Sequence, residues 1–267
     1  MRSTDARTRT GRSVRRVVAF AAGFALIWAA IAYLALPYVW RRVEGGAAPR
    51  AGMSAALSVT AQGIHGDPIN LALLADKATL FCAMRKAGWR PADPVTYKSS
   101  VRIVESVLFH RAYAHAPVSA LFWRGKRQDY AFEKPVGGSA KLRHHVRFWA
   151  TARGGAPAFV GSVTFDRAVG VSHYTGQITH HIGLDVDAER DGLAADLAKA
   201  DAGSEMAALI GIGPTKTGRN GGGDPYRTDG AVALLRLACP RPGSAMAAPA
   251  PAKIGAPRET LSAWLGG

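Results

Sequence analysis

Hydrophobic positions in this chain of 267 residues fall into one long run and many short ones. Residues 17–39, VVAFAAGFALIWAAIAYLALPYV, contain no charge. A run of that length without a polar face predicts a membrane-spanning helix rather than a core helix. Beyond it the pattern shortens. INLALL (69–74) predicts an apolar strand, and Asp76 then caps a helix with Leu80, Met84 and Ala87 on one face, ended by Gly88. Asp93-Pro94 opens a second helix carrying Val101, Val104 and Leu108 at helical spacing. Strands are predicted over 118–123, 128–133, 144–150 and 158–165, separated by breaks that carry Gly or Pro. Asp185 begins a third helix that runs to Ala200. Residues 206–212 and 231–238 close the domain as apolar strands, expected to be central and buried. Runs of strands with few helices between them predict one antiparallel-rich α+β domain behind a single transmembrane helix.

The same pattern divides the chain into a basic N-terminus (1–16), the apolar helix (17–39), a linker (40–56), the domain (57–239) and a Pro/Ala-rich tail (240–267), whose closing LSAWL is expected to fray. Charge adds an orientation. Of a formal net charge of +15, six arginines and Asp5 precede the helix, while Arg41, Arg42 and Arg50 with Glu44 follow it. The larger basic excess marks the cytoplasmic side, so the N-terminus is expected inside an inner membrane and the domain outside it. Pro37-Tyr38-Val39-Trp40-Arg41-Arg42 replaces the small residues of a cleavage site, which predicts an uncleaved anchor. Residues 51–240 keep about +6, too little for a nucleic-acid footprint. Membrane lipid is the expected partner, with a membrane protein as a second one.

Candidate chemistry is dispersed. In a strand, His144 and His145 point to opposite faces, so one is expected in the core and the other at a surface or site, His145 sharing its face with Arg143, Arg147 and Trp149. His180 and His181 precede Asp185, Asp187, Glu189 and Asp191, a set that admits a divalent metal, although no cofactor is predicted and the acids equally suit a helix N-terminus. Residues 211–230, GIGPTKTGRNGGGDPYRTDG, are not a phosphate-binding P-loop. Their successive glycines with Lys216 and Arg219 suit an anion, or simply a hairpin-type loop. Asp129 and Glu133 are expected to pair with Arg143 or Arg147. No nucleophile elbow or dinucleotide fingerprint is present. Cys82 and Cys239 leave two alternatives open, one bridge or two buried thiols.

Six stretches, GDPINLALL, RQDYAFEKPVGGS, RHHVRFW, VTFDRAVG, THHIGLDVDAERD and GRNGGGDPYRTDG, together resemble the LssY C-terminal domain over roughly residues 59–239. The resemblance implies a bacterial, membrane-associated domain, found alone behind a membrane segment or beside membrane phosphatase-type regions that this chain does not show. It carries over no catalytic residues. Within its motifs, His145, His180, His181 and Asp185 are the candidates for catalysis, and Arg147, Arg219, Asn220, Asp224 and Asp229 those for ligand binding. The expected function is a binding or accessory module for an anionic or lipid-derived ligand. Its rivals are a hydrolase of phosphoesters or other envelope esters, and a scaffold for a membrane phosphatase or export system.

Overall fold

The computed structural model describes residues 4–36, 38–39, 42, 56–92, 120–137, 142–212, 216–239 and 259–266. The linker over 44–53, the second helix expected from Asp93 and the Pro/Ala-rich stretch 240–258 lie outside them, as do His110 and His115.

Helix α1 (Thr4–Ala30) continues through a π-helical segment, Ile31–Ala35. Val14–Ala35 within it is long and apolar enough to cross a membrane. Phe20, Phe24, Leu26 and Leu34 stand exposed, so the domain does not cover this helix as it would a core helix.

The domain is built on an eight-stranded sheet with the order β11 (Gly203–Ile210), β14 (Ala231–Leu237), β3 (Leu71–Leu74), β9 (Ala156–Val171), β8 (Arg143–Arg153), β7 (Tyr130–Pro135) and β4 (Arg90–Pro91), while β10 (Ile178–Ile182) pairs the far end of β9. Only β14 and β3 run parallel among these pairs. The α+β expectation holds. One detail differs: β14 is interior, but β11 is an edge strand rather than a central one.

Alternation along these strands gives the sheet two unlike faces. On one, Val146, Phe148, Phe132, Phe159 and Val163 pack against α2 (Lys77–Lys86) and α3 (Val186–Lys199). Both helices start as the sequence predicts, with Asp76 accepting from the Thr79 amide at 2.7 Å and Asp185 from the Ala188 amide at 3.0 Å. Cys82 on α2 is bonded to Cys239 just beyond β14, so the bridge is the alternative that forms.

The opposite face divides. One part is apolar, with Ile69, Ala72, Trp149, Val160 and Leu234 covered by Leu121 and Trp123 of β5 (Leu121–Trp123). With β1 (Leu57–Thr60), β2 (His65–Pro68) and β6 (Lys126–Arg127), β5 forms a four-stranded second sheet. The C-terminal helix α4 (Leu261–Gly266) docks here too, with Leu261 and Trp264 buried and Thr260 bridging to Ile210. LSAWL therefore does not fray, because Leu261 and Trp264 sit one helical turn apart on the packed face, with Leu265 beside them. The other part of this face is polar.

Candidate functional site

Arg143, His145 and Arg147 occupy alternate positions of β8, and Ser162, Thr164 and Asp166 face them from β9 in register. All six are buried. Asp166 sits between Arg143 on β8 and Ile182 on β10, where β9 takes up β10 on the edge opposite β8.

Hydrogen bonds link this group into a chain. Arg143 Nη1 meets Glu133 at 2.6 Å and its Nε meets Asp166 Oδ2 at 2.8 Å. Asp166 Oδ1 lies 2.9 Å from His145 Nδ1, although the angle between them is poor for a hydrogen bond. On the other side of the ring, Nε2 accepts from Arg147 Nη1 at 2.6 Å and lies 3.0 Å from Thr164 Oγ1. A charged guanidinium only donates, so Nε2 is the acceptor and the proton of neutral His145 belongs on Nδ1, toward Asp166. Arg147 also reaches Asp67 Oδ2 at 2.9 Å, and Asn220 Nδ2 donates to Asp67 Oδ1 at 3.3 Å.

The chain borders a cleft of about 230 Å³. Asp67, His145, Arg147, Asp166, His180 and Asn220 line it, below a rim formed by Thr60–Gln62 and the Ser172–Thr179 segment. Gly221 permits this closure, because a Cβ there would collide with Thr60. The His180 imidazole has no hydrogen-bond partner among the described residues and faces this space.

Burial dominates the proton equilibria. It lowers the pKa of His180 to about 4, reinforced by Arg143, His145 and Arg147 and opposed by Asp166. His145 is lowered for the same leading reason. Burial would raise Asp166, but His145, His180 and Arg143 outweigh it and hold the carboxyl well below its usual range. The cleft at neutral pH therefore offers two uncharged imidazoles around one carboxylate.

The remaining candidates lie elsewhere. His181 alternates to the other face of β10 from His180. Its Nδ1 meets Asp224 Oδ1 at 2.8 Å, and a Cβ at Gly170 would collide with its ring. Asp224 also accepts from the Ile182 amide at 3.2 Å and lies 3.7 Å from Arg167. His173, His181 and Asp224 present ligand atoms within 4.8 Å of one another, a set that could hold a metal ion. The acidic run does not join either histidine. Asp185 caps α3 and pairs with Arg227 at 3.1 Å, and Asp187 accepts from Thr228 and the Asp229 amide. Glu189 meets His144 at 2.6 Å, and Asp191 meets Arg190 at 2.8 Å.

Arg219 is exposed on the hairpin of β12 (Lys216–Arg219) and β13 (Pro225–Thr228), where it donates to the Gly223 carbonyl at 2.7 Å. Asp229 pairs with Arg190 at 2.8 Å. Neither lines the cleft. Sequence reasoning missed Asp67, Thr164 and Asp166. Asp166 left a signal, a carboxylate continuing the apolar strand VTF in which nothing marks a turn. Asp67, ahead of Pro68, reads as a turn residue and left none.

No curated protein and no solved structure matches the chain. The family model described as LssY C-terminus matches residues 51–232, which takes in the whole cleft lining. The chain belongs to the LssY C-terminus family.

Proposed function

We propose that this is a bacterial inner-membrane protein, anchored with its N-terminus in the cytoplasm, whose extracytoplasmic domain is a binding or accessory module for a lipid-derived or other envelope ligand. The basic excess ahead of α1 supports that orientation. The Cys82–Cys239 bridge supports an oxidising compartment for the domain.

The observation that carries the binding reading is His180: a half-buried imidazole, without a hydrogen-bond partner among the described residues, at a cleft where Asp67, His145, Arg147 and Asn220 are already held in place. Such a group fixes a ligand oxygen or hydroxyl with one hydrogen bond, and Arg147 and Asn220 stand beside it. Arg147 is paired with Asp67 and Arg143 with Asp166, so selectivity for an anion rests on local donors and not on a surplus of positive charge.

The test uses the full chain in detergent, with soluble glycerophosphoglycerol and its uncharged parent glycerol as probes. Isothermal titration calorimetry is expected to show saturable binding of the phosphodiester that His180→Ala weakens at least tenfold, about 1.4 kcal/mol. Binding unchanged by His180→Ala would place the ligand elsewhere. A fusion reporter active only in the cytoplasm, joined to the C-terminus, is expected to stay inactive.

One observation favours a hydrolase as the second reading. Neutral His180 beside Asp166 can take a proton from water. Thr164, although 3.0 Å from His145 Nε2, is fully buried outside the cleft lining, so it positions His145 rather than attacking a substrate. Turnover of a phosphodiester or carboxylic ester by the full chain, abolished by His180→Ala, would favour this reading over simple binding.

A further inference from the structure

The far end of β9 and the start of β10 form a tip that is wrong for water. Val171 is 51% exposed and Ile178 is 55% exposed, side by side as a register pair. Two large apolar side chains presented together mark a surface that meets something apolar. The rest of the chain shows what that is. The Ile178 amide donates to the Tyr33 hydroxyl of the anchor at 3.2 Å. A Cβ at Gly176 would stand 3.7 Å from Ala32 and 3.8 Å from Trp28. Ala32 is buried, whereas most of the apolar span is open. Trp28 lies seven residues before the end of Val14–Ala35, about 10 Å at 1.5 Å per residue, and Tyr33 is nearer still. In a bilayer with about 30 Å of hydrocarbon, these contacts fall within the outer third of the apolar layer on one side, Tyr33 nearest its headgroups.

The tip that touches the anchor is also the rim of the cleft. Ser172, Thr175, Gln177, Ile178 and Thr179 line it, with His180 following on the same strand. We infer that the cleft opens onto the bilayer surface beside the anchor, and that its ligand is the headgroup of a lipid residing in that membrane. This rests on the binding reading above and narrows it from a diffusible molecule to one delivered laterally. Val171 and Ile178 sit among the acyl chains nearest the headgroups. A headgroup beside α1 enters between the Thr60–Gln62 turn and Thr179 to meet His180. The tether holds rim and lipid at a fixed height, so capture costs little translational freedom.

The experiment uses the full chain with photoreactive benzoylphenylalanine in place of Ile178, Thr179 or Ala156, in nanodiscs of phosphatidylcholine and phosphatidylglycerol. Ala156 is the control, because it begins the 16-residue strand that ends at Val171, about 50 Å away along an extended chain. Illumination is expected to yield severalfold more lipid adduct at Ile178 and at Thr179 than at Ala156. Adding His180→Ala should lower the adduct at Thr179 inside the cleft and leave that at Ile178 unchanged. Adduct at Ile178 no greater than at Ala156 overturns the orientation of the cleft, whatever glycerophosphoglycerol does in detergent. Adduct at Ile178 without adduct at Thr179 overturns the lipid ligand. Adduct at Thr179 that His180→Ala leaves intact supports a lipid-facing cleft and removes His180 from the binding site.

Discussion

The two faces of the central sheet solve opposite problems with neighbouring residues. At β8 the chain sends Val146 and Phe148 toward the helices and Arg143, His145 and Arg147 toward the cleft. The helix side is held by area and shape. Phe148 lies edge-on to Phe132 at 6.0 Å and to Phe159 at 6.4 Å, and Gly161 leaves room for its ring. The cleft side buries two guanidinium groups, three carboxylates and an imidazole, each with a desolvation cost that packing alone would avoid. A sheet selected for stability alone would extend the apolar face. The polar chain is better understood as scaffolding for what enters the cleft.

That contrast can be broken most forcefully at its two centres. Phe148→Ala is expected to cost about 3–5 kcal/mol in chemical denaturation, the range for a buried aromatic ring. Arg143→Ala is expected to cost about as much, 3–5 kcal/mol, because it strands Glu133 and Asp166 as buried charges. The sharper variant replaces Glu133, Arg143 and Asp166 together by Leu, Met and Leu. Stability is then expected to return to the starting value or exceed it by about 1–4 kcal/mol, while glycerophosphoglycerol binding is lost. A triple variant as unstable as Arg143→Ala would make the polar chain part of what holds the fold.

The bridge comes next in size. Cys82 and Cys239 are 157 residues apart and tie α2 to the last strand on the helix side. Changing both to Ser is expected to lower stability by about 2–4 kcal/mol, mainly by freeing the unfolded chain. Ligand binding should persist at temperatures where the variant stays folded.

Acid separates the faces more gently. His145 and His180 have folded pKa values below the ordinary one, near 4 for His180. From pH 6.5 down to about 4, the unfolded chain binds a proton at His180 that the folded chain refuses. Stability therefore falls as pH falls through that window, by no more than about 1.4 kcal/mol per pH unit for one such group. The depressed Asp166 acts below this window, where its protonation removes further stability. Denaturation midpoints measured across pH 4–7 are expected to flatten in His180→Phe.

Local rules made the helix side legible and left the cleft dark. Asp76 and Asp185 announced their helices because an N-cap is a contact between near neighbours. The alternation of β8 separated His144 from His145, and of the two acids expected to pair with Arg143 or Arg147, Glu133 meets Arg143 whereas Asp129 pairs with Lys126 and the Ala150 amide. Asp67, Asp166 and His180 come together because β10 joins β9 at Asp166 on the edge opposite β8 and the second sheet brings β2 alongside, long-range events with no local periodicity. Asn70 shows the same limit. Its side chain bonds both backbone groups of Val163 and the Val186 carbonyl, yet within INLALL it reads as an interruption of an apolar strand.

The smallest expected effect lies one residue from one of the largest. His144 meets Glu189 at 2.6 Å in a half-buried pair over α3, beside Trp89 and Phe165. Water reaches that pair and can replace either partner, so a double-mutant cycle of His144→Ala with Glu189→Gln is expected to give a coupling under about 1 kcal/mol. His145→Ala removes a ring from between Asp166 and Arg147 where the surrounding groups are buried, and each loses a contact that solvent does not freely supply. Coupling above about 2 kcal/mol at His144 would mean that the helix face also depends on buried polar pairing. The division between a packed face and a scaffolding face would then fail at β8 itself, on adjacent residues of the same type.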